Sequence, residues 1–333
     1  MYQHESTIVN DNRITIENFL PEIGKDEIIK KILFGLTKKQ KEISSMFFYD
    51  KIGSHLFEMI TQLDEYYPSR TEIQLLHKAA EEIKNEIENS NLIELGSGDC
   101  SKISILLHAI PHDHLESICY IPLDVSISAV RTASYKLLDT FPQLEIRGII
   151  ADFINQRHLL PENKKRFLCF FGSTLGNLTN EETDTFFINL KDELKQGDFF
   201  LLGLDMVKDV TILEDAYNDK KGITKEFNKN IIQVVNHLAS TNFHQDDFEH
   251  IAFYNSDLKR IEMHLKANKD LSIFTPFLDY VIKIKKNETI HTENSHKFSK
   301  DSITKFAKIA ELEIQKIFTD QNQWFSLVLF KKQ

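Results

Sequence analysis

Between residues 91 and 204 short apolar runs alternate with amphipathic stretches, a pattern that predicts a parallel sheet covered by helices on both faces. The runs at 92–95, 118–123, 146–150, 167–171 and 199–204 predict strands. The stretches 101–109, 126–138 and 181–194 carry helical spacing, and Thr179 and Glu182 stand at capping-box spacing ahead of the last. The chain before residue 90 is helix-rich and aromatic. After Leu204 the sheet pattern stops. A helical region is expected to about His250, followed by strands at 260–266 and 278–285. A helix at 300–310 and strands at 314–318 and 325–330 then return to the main sheet. The expected division is 1–204, a helical segment plus the sheet-bearing core; 205–290, an inserted α+β domain; and 291–333, the return.

In such a sheet ligands bind beyond the carboxyl ends of the strands. Residues 91–102, NLIELGSGDCSK, run from an apolar strand into a Gly-x-Gly turn, where Gly96 and Gly98 let a ligand approach the backbone. A dinucleotide fingerprint wants a third glycine three residues on, and position 101 is Ser. Glu94 just before the turn suits a cationic or amine-bearing ligand such as S-adenosylmethionine; a plain tight turn is the alternative. Asp124 after the second strand stands where a ribose is held by its hydroxyls. Asp152 followed by Phe153 after the third can bracket an adenine, and Gly172 to Asn177 follow the fourth. Either aspartate could instead cap the next helix.

Composition narrows the class. With 333 residues and 41% hydrophobic content the chain can bury one large core or two modest ones, and its net charge of -10 argues against nucleic acid or an anionic membrane as partner. No window reaches eighteen apolar residues, and the first fifteen residues show neither a cationic start nor an apolar h-region, so a cytoplasmic protein without membrane attachment is expected. Cys100, Cys119 and Cys169 are odd in number and widely spaced, which reads as buried reduced thiols. The histidines at His112 and His114, and in FHQDDFEH at 243–250, lack metalloprotease spacing, and no metal is expected.

Several segments together resemble the histidine-specific Nα-methyltransferases of ergothioneine biosynthesis. They are FFYDKIGSHLFEMITQLDEYYPSRTE at 47–72, IELGSGDCSK at 93–102, FFGSTLGNLT at 170–179, GLDMVKD at 203–209, AYNDKKGITKEFNKN at 216–230, RIEMHL at 260–265 and TENSHKFS at 292–299. The resemblance covers nearly the whole chain. It implies an α/β fold: a class I methyltransferase Rossmann-like sheet with an inserted α+β substrate-binding domain that closes over a free amino acid. It places S-adenosylmethionine on Tyr49, Gly96, Lys102, Asp124, Asp152 and Phe153. It puts the amino acid's main chain on Asn177 and Tyr217, with Gly172 and Tyr66 beside them, and the imidazole on Glu293 and Ser295, with Met263 lining the same pocket. Asn294 departs from the family's usual apolar residue and by strand alternation points away from its neighbours.

The implied reaction is transfer of methyl groups to the amine of L-histidine, up to the trimethylated betaine, hercynine. Such an in-line attack by a neutral amine needs alignment more than a strong base. Tyr49 or a water near it could pass the proton outward, and Asn177 completes the catalytic pair. Asn177 and Tyr217 donate hydrogen bonds to a carboxylate without adding charge, and Glu293 with Ser295 can grip both ring nitrogens from one strand face. A monomer is expected. The rival readings are the same fold acting on another amino acid or an aromatic amine such as a tryptophan derivative, a non-catalytic S-adenosylmethionine binder, and an NAD oxidoreductase.

Overall fold

A computed structural model describes residues 6–11, 13–21, 24–154, 156 and 158–333. The leaderless start expected at the N-terminus includes residues 1–5, which lie outside the described residues. The chain parts into two compact units, Met1–Pro21 with Thr71–Met206 and Phe298–Gln333, and Glu22–Arg70 with Val207–Lys297. This division differs from the expected one. Residues 22–70 pack in the second unit instead of with the core, because Lys41–Glu42 pairs in parallel with the strand Thr289–His296, far away in sequence. The boundary falls in the first turn of the long helix Tyr67–Ile87.

The first unit is built on a nine-stranded sheet in the order Ser6–Asp11, Ile14–Asn18, Glu145–Ile150, Cys119–Asp124, Ser90–Leu95, Lys165–Phe170, Phe199–Asp205, Phe325–Lys332, Leu312–Thr319. All five expected core strands are present and run parallel. The two C-terminal strands return to the sheet, as expected; Phe325–Lys332 pairs antiparallel with Phe199–Asp205, and Leu312–Thr319 pairs antiparallel with Phe325–Lys332. The pair at 6–18 was not expected; Ile14–Asn18 extends the sheet beside Glu145–Ile150, with Ile14 and Ile16 fully buried. Ser90–Leu95 is buried at every position, its apolar Leu92, Ile93 and Leu95 together with the polar Ser90, Asn91 and Glu94. The helices Ser101–His108, Ile127–Thr140 and Asn180–Glu193 fall where the spacing put them. Thr179 and Glu182 form the capping box, each side chain accepting from the other's backbone N–H at 3.1 and 2.8 Å. All three cysteines are free and buried.

The second unit holds a four-stranded sheet in the order Lys41–Glu42, Thr289–His296, Arg260–Ala267, Phe248–Asn255, with the helix Ile223–Ala239 packed against it. Two expectations need correction here. The helical region ends at Ala239, and His250 lies inside the strand Phe248–Asn255. Of the expected strand at 278–285 only Ile282–Ile284 forms, paired with Leu271–Ile273, because Thr275–Leu278 closes a turn. No described helix is long and apolar enough to cross a membrane.

Candidate active site

In the first unit the glycine turn leaves the sheet at the level of its neighbours' ends: Leu95 pairs with Leu123 and Phe170, and the Gly96 N–H donates to the Leu123 carbonyl at 2.8 Å. Gly96 and Gly98 adopt φ of +67° and +51°, and a Cβ built on either meets no atom within 4 Å. The glycines are therefore required by backbone conformation, and the space beside them is open to a ligand. Cys100, also left-handed at +59°, starts the helix Ser101–His108. Glu94 is buried beneath this turn and accepts the Tyr120 hydroxyl at 2.6 Å; burial pushes its carboxyl up to about 8, against the pull of that hydrogen bond and of Lys102.

Asp124 accepts from the Ser126 N–H at 2.9 Å, and burial raises its pKa while backbone N–H groups of Ser126, Gly98 and Val125 oppose the rise. It thus ties the second strand's end to the glycine turn. The cap of the following helix is Ser126, not Asp124. Asp152 accepts from the Ile154 N–H at 3.0 Å, and among the described residues just after it none is helical. Phe153 packs edge-on against Phe170 and Phe186, with centroids 5.1 and 6.2 Å away, and lines a cavity together with Leu95, Leu123 and Leu168.

The fourth strand ends in two consecutive left-handed residues, Gly172 and Ser173, followed by a single helical turn that finishes at Asn177. Here a residue absent from the expectations organises the site. Glu72 is fully buried; both its carboxylate oxygens accept the Gly172 N–H, at 2.8 and 2.9 Å, and Oε2 pairs with Lys102 Nζ at 2.7 Å. A Cβ on Gly203 would lie 2.2 Å from Glu72 Oε1, so a larger residue at that point would displace the Glu72 carboxylate. Lys102 is thereby held at the glycine turn by a charge on the helix Tyr67–Ile87.

In the second unit Phe48 stacks on Phe227 at 4.5 Å, and Tyr49, about half exposed, lies edge-on to Phe57 and Phe227. Asp50 caps the next helix through the Gly53 N–H and accepts from Asn230 at 2.8 Å. Of the paired tyrosines, Tyr67 is buried and accepts from Lys208 at 2.7 Å, while Tyr66 sits edge-on to Tyr217 with centroids 6.1 Å apart. Arg70 fixes the loop before them by donating to the carbonyls of Leu63 and Asp64.

Glu293 and Ser295 lie on one strand two residues apart, so both face the same side. Met263 pairs directly with Glu293 across the sheet, and all three are buried. The Tyr217 hydroxyl donates to Ser295 Oγ at 2.7 Å, and Lys297, two residues further along the same face and buried, donates to Ser295 Oγ at 2.9 Å and to the Tyr217 oxygen at 3.1 Å. Burial lifts the Glu293 carboxyl to about 7, opposed by the Lys297 ammonium. Lys297 was not singled out from the sequence, although it falls inside the TENSHKFS segment. Its i, i+2, i+4 spacing with Glu293 and Ser295 was the signal. The first unit holds Gly96, Lys102, Asp124, Asp152, Phe153, Gly172 and Asn177, and the second holds Tyr49, Tyr66, Tyr217, Met263, Glu293 and Ser295.

A central parallel sheet with a returning antiparallel pair, and a glycine turn at its carboxyl edge, is the Rossmann-like architecture of the class I methyltransferases. The profile of the family described as histidine-specific, SAM-dependent methyltransferase matches residues 28–332, and the chain belongs to that family. It is 36% identical over 314 residues to the histidine N-alpha-methyltransferase of Mycolicibacterium smegmatis, covering 94% of this chain and 95% of that one. It is 34% identical to the protein of the same name from Mycobacterium tuberculosis, over 96% and 100% of the two chains. Similarity to ergothioneine biosynthesis protein 1 of Neurospora crassa is 28% over 95% of this chain and 36% of the longer one. The protein is an S-adenosylmethionine-dependent N-methyltransferase. The residues present fit that cofactor: left-handed glycines with open space beside them, and an aspartate, Asp124, at the end of the adjacent strand.

Proposed function

We propose that the enzyme methylates the α-amine of free L-histidine, three times in succession, yielding the trimethylammonium betaine that begins ergothioneine synthesis. The observation that carries the substrate assignment is the buried Glu293–Ser295 pair and the hydrogen bonds that surround it. Ser295 Oγ accepts from both Tyr217 and Lys297, which occupies its lone pairs and leaves its own proton to donate. A donating hydroxyl beside an accepting carboxylate matches a neutral imidazole, which has one bare nitrogen and one N–H. Met263 supplies the apolar wall. An indole offers one N–H and no acceptor, so it would leave the Ser295 proton unpaired at a cost of about 1–3 kcal/mol.

S-adenosylmethionine supplies an electrophilic methyl. Gly96, Asp124, Asp152 and Phe153 are assigned to its nucleoside, and Lys102, Asn177 and Gly172 to the two carboxylates, of cofactor and substrate. Tyr66 and Tyr217 line the amine side, and Tyr49 is assigned to carry the proton away from nitrogen before each transfer. The enzyme acts without a nucleic-acid or membrane partner, as a cytoplasmic monomer. The test is substrate analogues. Histidines methylated on either ring nitrogen each lose one of the two ring contacts and should fall at least about tenfold in kcat/KM. Equal rates for both analogues and L-histidine would remove Glu293 and Ser295 from the ring.

A further inference from the structure

The strand that carries Glu293 and Ser295 has a second face, and it holds a separate cluster. Glu262 and His264 lie two residues apart on the neighbouring strand, and His264 pairs with His291 across a bulge that displaces Thr292. One donor atom from each of Glu262, His264 and His291 lies within 4.8 Å of the other two. We propose that these three side chains form a binding site for a transition-metal dication of the zinc type, on the face of the sheet opposite the imidazole-reading pair.

Two imidazoles and one carboxylate are a donor set such ions favour. Glu262 Oε2 and His264 Nε2 are 3.1 Å apart, close to the spacing of about 3.3 Å between neighbouring ligands around a tetrahedral ion with bonds near 2.0 Å. The other carboxylate oxygen, Oε1, is held by Arg260 at 2.9 and 2.8 Å and by Asn255 at 3.0 Å, which orients the carboxylate as outer partners orient metal ligands. Phe253 stacks on the His264 ring with centroids 5.5 Å apart and fixes its plane. The His291 imidazole carries unspent capacity: its Nε2 is buried and makes no hydrogen bond among the described residues. With one carboxylate, partly neutralised by Arg260, the site is poor in oxygen for magnesium or calcium and suits an imidazole-preferring ion. An ion there would clamp the two central strands behind Glu293.

The test uses the untagged full chain, stripped with chelator and titrated with Zn²⁺ and, for its visible absorption, Co²⁺. One equivalent should bind, with a four-coordinate Co²⁺ spectrum and a raised Tm. His291→Asn and His264→Gln should each weaken binding at least about tenfold and abolish the Tm shift, while S-adenosylmethionine affinity stays unchanged as the check on folding. Absence of stoichiometric binding, or binding that both variants retain, overturns the site. Because metal affinity is read without turnover, failure here is separate from failure of the histidine assignment.

Discussion

The two units build recognition from different materials. In the first, the groups assigned to the cofactor sit at the ends of parallel strands, and most of the work is done by backbone: left-handed glycines, turn N–H groups and a lysine held in place by Glu72. In the second, the groups assigned to the substrate's side chain lie along one strand face, buried, and are fixed by one another. Backbone turns accept any ligand with a suitable nucleoside shape. Buried side chains with fixed donor and acceptor roles reject whatever cannot complete them. Selectivity should therefore reside in the second unit and cofactor affinity in the first.

That contrast can be broken by substitution. The largest effect is expected from Glu293→Ala: about 100-fold lower kcat/KM for L-histidine with the S-adenosylmethionine Kd within about twofold of wild type. Parallel loss of both, in kinetics and calorimetry, would merge the two sites. Glu72→Ala should do the converse, since it strands Lys102 and the Gly172 N–H: about tenfold weaker cofactor binding and a lowered Tm, with the preference for L-histidine over its ring-methylated analogues changed by less than about threefold. Gly96→Ala adds a Cβ to a backbone at φ +67°, which costs about 1–2 kcal/mol; the cofactor Kd should rise about five- to thirtyfold if the strain falls on the bound state, and calorimetry would show it.

The smallest effect sharpens the chemistry. Glu293 must be ionised to accept the ring N–H, and its carboxyl titrates at about 7, so kcat/KM for histidine should fall as pH drops through that region. Lys297 holds that value down. Lys297→Met should move the acid limb to higher pH, whereas a limb belonging to the substrate alone would stay in place in a wild-type and variant pH profile.

The sheet of the first unit was legible in the sequence because its strands are buried runs and its helices carry local periodicity and caps. The strand-end residues Asp124, Asp152 and Gly172 followed from that alternation alone. What escaped depends on distant pairing. Residues 22–70 join the second unit through Lys41 and Ile290, and no local period reports a contact across some 250 positions. Glu72 reads as one more acid in an amphipathic helix until Gly172, Gly203 and Lys102 are seen around it. Glu293, Ser295 and Lys297 share a face, but an alternating polar strand looks the same when exposed. The Glu262–His264–His291 cluster was illegible for the same reason: its second histidine comes from another strand, across a bulge.

The most direct measurement is the product. The purified enzyme is incubated with S-adenosylmethionine carrying a deuterated methyl and an equimolar mixture of amino acids, and the mixture is analysed by tandem mass spectrometry. The account predicts one, two and finally three labelled methyl groups on the α-nitrogen of histidine and none on the other amino acids. Label on an amino acid other than histidine, or on a ring nitrogen, or no label on histidine at all, would contradict it.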